Sequence, residues 1–213
     1  MDSKALADSG KRLALERGSK ARSGPTQVVC YDPIELAALT EALTITGQTE
    51  LPGSIFPVVH GTLDGFPVSV LRIPFGDKPA LLRSVIGAMA RAVRPSQVVS
   101  IGTCMALGKE LAVGDAVLNI SAFHEGLTVG LGTGLAREFS ASAPHAMHLR
   151  TVTSLTTSVF VEGDECPVRA AAVRQGADVI EMEDHHLALM AGEMGFGITS
   201  LRVVTDHGDM ALH

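Results

Sequence analysis

The chain has very little aromatic surface: no Trp, one Tyr and seven Phe in 213 residues. That argues against the array of stacking side chains that holds single-stranded nucleic acid. Positive charge is also short. Lys and Arg number 17 against 23 Asp and Glu, a net charge of −6, so no basic face for duplex or RNA is expected. Cysteine is scarce. Cys30, Cys104 and Cys166 form no CxxC pair and no disulfide framework, which suits a reducing cytoplasm. No apolar run approaches the roughly 20 residues of a membrane span. Residues 1–25 carry Lys4, Lys11, Arg12, Arg17, Lys20 and Arg22 with no apolar stretch behind them, so no secretory signal is read there. The expectation is a cytoplasmic protein with neither nucleic-acid nor membrane partners.

What the chain does have is apolar content, 46% of its residues, enough for one substantial core. Residues 1–25 read as a polar extension with a short helix at Ala5–Glu16, and residues 26–213 as one domain. In that domain strands and helices alternate. "TQVVCY" reads as a strand and "PIELAALTEALTITG" as a helix with Pro33 in its first turn and Gly47 past its end. "GSIFPVVHGTLDGFPVSVLRIPFG" reads as two strands joined at Asp64-Gly65, a good hairpin turn. "KPALLRSVIGAMARAV" is an amphipathic helix. "SQVVSIGT", "GDAVLNISAF", "ADVIE" and "GITSLRVVTD" read as strands and "RTVTSLTTSVFV" as a β-rich run, with helices at "PVRAAAVRQG" and "DHHLALMAGEMG". The glycine-bearing "VGLGTGL" precedes no clear helix, and residues 124–149 read as a loop. The pattern predicts an α/β domain of three layers, a mixed, twisted central sheet flanked by helices.

Unusual polar residues follow four of the strands at once. Asp32 and Glu35 follow the first, Gly102 and Thr103 follow "VVSI", Glu181 and Glu183 follow "ADVI", and Thr205, Asp206, His207 and Asp209 follow "LRVV". In open α/β sheets ligands bind beyond the carboxyl ends of strands. Each acid alone also fits a helix-dipole or turn role. Their coincidence at several strand ends points to one shared pocket.

Three segments in order carry a resemblance: "VVSIGTCMALGKELAVGDAVLNISAFHEG", "VIEMEDHHLALMAGEMG" and "LRVVTD". With the hairpin segment "GTLDGFPVSVLRIPFGDKPALL", the chain resembles the nucleoside phosphorylase/nucleosidase superfamily over roughly residues 26–209. The resemblance implies roles. Glu183, in the "EME" segment with Glu181, would accept hydrogen bonds from ribose hydroxyls, and Met182 would pack on the sugar. Asp206, beside Thr205, would bond or protonate a purine at N7. Phe160 would stack on the base. Gly102 and Thr103 would line the site beside the ribose. Breaking an N-glycosidic bond leaves positive charge on the sugar and negative charge on the base. A proton donor at the base therefore pairs with an anionic wall at the sugar, and general acid catalysis gives a factor of about 10²–10⁴. Asp206 would then need a raised pKa, which burial beside Glu183 would supply.

Within the resembled family, phosphorylases hold phosphate with arginines. This chain has Glu35 and Ser100 where two of them would stand. A carboxylate about 4 Å from a phosphate charge, at an effective dielectric near 20, is repelled by about 4 kcal/mol per charge. Glu35 instead matches the water-activating glutamate of the nucleosidases. The expectation is hydrolysis of a purine nucleoside, with Glu35 as base and Asp206 as acid. No cofactor and no metal are expected, and a homo-oligomer is implied by the family. Phosphorolysis served by Arg72, Arg83 or a partner's arginine is the alternative. A second alternative is a binding protein without turnover, because this sequence reaches His213 soon after "TDHGD", where the family continues into a covering helix. A third is a metal site drawn from Asp184, His185, His186, His207 and Asp209. It is disfavoured because adjacent helical histidines point about 100° apart.

Overall fold

The computed structural model describes residues 25–52, 54–73, 79–132, 149–163 and 165–208. The expected N-terminal extension up to residue 24, with its helix, and residues 133–148 of the expected loop lie outside these. The elements in chain order are β1 (Thr26–Cys30), α1 (Pro33–Ala42), β2 (Thr44–Thr49), β3 (Val58–Leu63), β4 (Phe66–Arg72), α2 (Pro79–Val93), β5 (Gln97–Ala106), β6 (Ala116–His124), β7 (Leu127–Gly130), β8 (Arg150–Thr156), α3 (Pro167–Arg174), β9 (Val179–Glu181), α4 (Asp184–Glu193) and β10 (Ile198–Asp206). The sheet is mixed, as the hairpin requires: β1 runs parallel to both β4 and β5, while β2, β3 and β4 are antiparallel neighbours.

Helices cover both faces because β1 is apolar on both. Val29 and Tyr31 pack with Ile86 and Met89 of α2 and Leu187 and Ala191 of α4. Val28 and Cys30 face the other way, toward Val70, Val99 and the partly buried Leu36 and Leu39 of α1. Side chains alternate across a strand, so a strand buried on both faces reads as a continuous apolar run.

Strand β5 decides where the site lies. Its first residues pair with β1, Val98–Ser100 against Gln27–Val29. Its last residues leave β1 and pair with β9, Met105 opposite Ile180. Strand β10 also pairs with β5, and β6, β8 and β9 complete the circuit back to it. Five strands thus form a closed ring, and β1, β4, β3 and β2 extend from it as an open sheet. Where β1 and β9 part, a crevice opens at the carboxyl ends of both strands.

Four expectations about the elements are corrected. The β-rich run read through Val161 is a strand only over Arg150–Thr156. The first helix stops at Ala42 instead of running to Gly47, and Thr44–Thr49 is an exposed edge strand. Thr44, Ile45 and Thr46 are β-branched and stiff, which favours an extended backbone. Strand β5 does not end at Gly102 but continues to Ala106. Residues 127–130 form a strand on β6, reached through a tight turn with positive φ at Glu125 and Gly126. The Asp64-Gly65 turn stands as expected, with φ of 50° and 84°.

Leu187, fully buried between α4, α2 and the sheet, tests this packing. Leu187→Ala should lower unfolding free energy by about 2–5 kcal/mol, seen as an earlier denaturant midpoint.

Candidate active site

A cavity of about 590 Å³ fills the crevice, within the size range of small-molecule sites. Its walls come from the chain just after β1, from β5, from the segment after β8, from the β9–α4 junction and from the end of β10. Of the residues marked out by the sequence, Glu35, Thr103, Phe160, Glu181, Met182, Glu183, Thr205 and Asp206 all line it. Gly102 does not.

Gly102 has a different task. A side chain there would collide with the Arg202 guanidinium, and the Tyr31 ring lies 3.5 Å from where the Cβ would stand. The glycine provides a seat for an arginine buried in the sheet. Arg202 is 1% exposed, and its nearest acid is Asp184. Two further carboxylates surround it, Glu183 at 3.6 Å and Glu181 at 3.7 Å. Its Nη2 also donates to Ser100 Oγ at 3.1 Å, and its guanidinium lies 5.4 Å from the centre of the Tyr31 ring. This arrangement was missed in the sequence. The available signal was a lone cation inside the apolar run "ITSLRVV", since Arg is almost never fully buried unless paired.

The acids differ in what holds them. Glu181 faces inward. Its carboxylate accepts from Ser154 Oγ, Thr156 Oγ1 and the backbone N–H groups of Glu183 and Asp184. It therefore caps the start of α4 and shapes the cavity wall from behind, so its oxygens are engaged by the protein rather than held out to a ligand. Glu183 stands at the helix N-cap with a side chain 13% exposed, and its carboxylate accepts no hydrogen bond from a described residue. Glu35 is half-buried; its Oε2 accepts from the backbone N–H groups of Tyr31 and Asp32 at 2.8 and 2.9 Å. With Asp32 it forms a capping box, which fixes its direction. Asp206 follows an irregularity in the β10–β5 register after Val204, a local kink that re-aims side chains. Gly208 N–H donates to its Oδ1 at 2.8 Å and Thr205 Oγ1 to its Oδ2 at 3.0 Å. Phe160 stands at the mouth, 64% exposed.

Burial raises two of these carboxyls. It pushes Glu181 to about 7, with the charge of Asp184 adding to it and Arg202 opposing. It pushes Glu183 to about 8, against Arg202, with Glu181, Asp184 and Glu35 adding to it. Asp184 and its neighbours hold Arg202 charged despite its burial. The raised carboxyls therefore lie on the "EME" segment.

The histidines form a separate cluster. The His124, His185 and His186 rings meet with centroids 4.5–5.7 Å apart. Burial and the two neighbouring rings push His185 down to about 4. Asp184 is committed to Arg202, and among the described residues no group of three His, Cys, Asp or Glu is arranged to hold a metal ion. Nor, among those residues, is any helix long and apolar enough to cross a membrane. Arg72 and Arg83, the candidate phosphate ligands, lie elsewhere. Arg72 donates to Tyr31 O and covers the Phe56 ring, and Arg83 pairs with Glu193 at the surface.

Acids gathered at strand ends over a closed ring define a small-molecule site of the α/β type. The chain belongs to the Phosphorylase superfamily, whose sequence profile matches residues 26–212. No curated protein gives a significant match. Solved structures do. A Streptococcus pneumoniae MTA/SAH nucleosidase in complex with 8-aminoadenine is similar at 17% identity and TM-score 0.75, covering 87% of each chain. A Colwellia psychrerythraea MTA/SAH nucleosidase in complex with adenine gives 18% and 0.76, covering 88% of this chain and 84% of that one. The futalosine hydrolase of Helicobacter pylori gives 17% and 0.75, covering 87% and 86%. At these identities the likeness is one of fold.

Two measurements test the electrostatics. Glu181 and Glu183 titrate higher in the folded chain than at the ordinary 4.5. The stability they contribute is full below that ordinary value and is lost as pH rises through about 7 and 8. The thermal midpoint should therefore fall between about pH 5 and pH 8, and Glu183→Gln should flatten that fall. Gly102→Ala, by crowding Arg202, should cost about 1–3 kcal/mol in chemical denaturation.

Proposed function

We propose that the chain is a nucleosidase, hydrolysing the N-glycosidic bond of a purine nucleoside. One observation carries the reading: the cavity is lined by acidic residues with no described cation among them. Asp32, Glu35, Glu162, Glu181, Glu183 and Asp206 line it, and among the described residues no Lys or Arg does. A phosphate dianion entering such a cavity finds no cation among the described residues to neutralise it, whereas water and a neutral sugar need none. The engagement of Arg72 and Arg83 elsewhere favours the same choice.

In this reading Glu183 accepts hydrogen bonds from the ribose hydroxyls and Met182 packs against the sugar. Phe160 closes over the base. Asp206 gives a proton to the purine at N7 as the C1′–N9 bond breaks and its electron pair leaves with the base. Glu35 takes a proton from the water whose oxygen bonds to C1′. Products are free base and ribose, with the catalytic protons balanced between Glu35 and Asp206. Adenine-bearing nucleosides are the first to test, because two of the similar structures hold adenine or 8-aminoadenine. A cytoplasmic location and a homo-oligomer belong to the same proposal.

A panel of nucleosides, with and without phosphate, scored for free base and for ribose against ribose-1-phosphate, decides the nucleophile. Free base and ribose, independent of phosphate, are expected. Phosphate-dependent ribose-1-phosphate would overturn hydrolysis, and binding without release of base would leave a binding protein. Asp206→Asn should lower kcat by about 10²–10⁴ with unchanged circular dichroism.

A further inference from the structure

Asp184 lies beside the proposed sugar-binding acid, yet its side chain does not enter the cavity. It is fully buried at the first position of α4. It accepts from Asn119 Nδ2 at 2.7 Å, Ser200 Oγ at 2.5 Å, Ser100 Oγ at 3.3 Å and Arg202. Four donors from β5, β6 and β10 thus converge on one carboxylate. Arg202 Nη2 then stands 3.6 Å from Glu183 and 3.7 Å from Glu181, beyond good hydrogen-bond length for a charged pair.

The geometry points to Asp184 as a positioning residue: by taking Arg202 as its own partner, it keeps the guanidinium from hydrogen-bonding Glu183 and leaves that carboxyl for the hydroxyls of a sugar. This deepens the proposed function and rests on its assignment of Glu183. The described charged and titratable groups facing Glu183 are Arg202 from β10, Glu181 from β9, Asp184 from α4, Glu35 from α1 and Tyr31 after β1. Arg202 is the one cation among them. Whichever acid it bonds is drawn toward its charged form, and the others are left closer to a proton. Burial holds Glu183 raised at about 8 although Arg202, at 3.6 Å, lowers it.

Removing the Asp184 charge should release Arg202 toward Glu183. The test is a carboxyl titration of the full chain labelled with ¹³C-glutamate, with the Glu183 resonance assigned by Glu183→Gln. The wild-type midpoint is expected near 8. In Asp184→Asn, or in Asp184→Ala, it should fall by about one pH unit or more. For whichever nucleoside the chain cleaves, KM should rise roughly 10- to 100-fold, the worth of a hydrogen bond to a charged group, with kcat changed less. A midpoint unmoved in a variant with cooperative unfolding overturns the proposal. So does a wild-type Glu183 that titrates below the ordinary carboxylate value, a result readable even if neither variant folds. The titration needs no turnover. A chain that cleaves no nucleoside but shows the expected midpoints would defeat the proposed function and leave Asp184's hold on Arg202 standing.

Discussion

A guanidinium cannot be taken out of water without partners, and the burial of Arg202 constrains much of the site. Breaking such a buried pair by deleting one member costs about 3–5 kcal/mol. The chain answers with three acids, Glu181, Glu183 and Asp184, and with glycine at position 102 in place of a side chain. The same charge cluster joins elements far apart in sequence: β5 through Ser100, β9 through Glu181, α4 through Asp184 and β10 through Arg202 itself. It lies directly behind the cavity wall. Framework and site therefore share one electrostatic problem.

That sharing explains how the acids divide. Glu181 accepts hydrogen bonds from two hydroxyls and two backbone N–H groups, so its oxygens serve the turn into α4. Asp184 serves Arg202. Glu183 alone of the three reaches the cavity without a hydrogen-bonding partner for its carboxylate among the described residues. Across the opening, Glu35 and Asp206 are aimed by backbone N–H donors. Side chains that act together must be held by a rigid shell to keep their geometry, and here that shell is largely backbone.

Much of this was legible in the sequence. Strand and helix order, the hairpin at Asp64-Gly65 and the gathering of acids at strand ends follow from apolar periodicity and from glycine and proline placement. Eight of the nine residues marked for the site do line the cavity. The misses share a cause. Gly102 looks like a site glycine when only its own strand is considered. Its use depends on Arg202, one hundred residues away, opposite it across β10 and β5. Asp184 looks like a first-turn acid; its burial and partners come from strands that local pattern cannot bring together. The edge strand at Thr44 was lost because a helical stripe and a β-branched run abut without a glycine or proline between them.

The closed ring has one more effect. Asp206 ends β10 and Glu183 caps α4 two residues after β9, and both strands belong to that circuit and are tied to β5. Glu35 rides on α1, a helix with no buried residue, above the open part of the sheet. Two of the three acids are thus set by strands of a closed circuit, and the third by a helix laid on the open sheet. Shear within the fold therefore alters the distance from Glu35 to the other two acids more readily than the distance between Glu183 and Asp206.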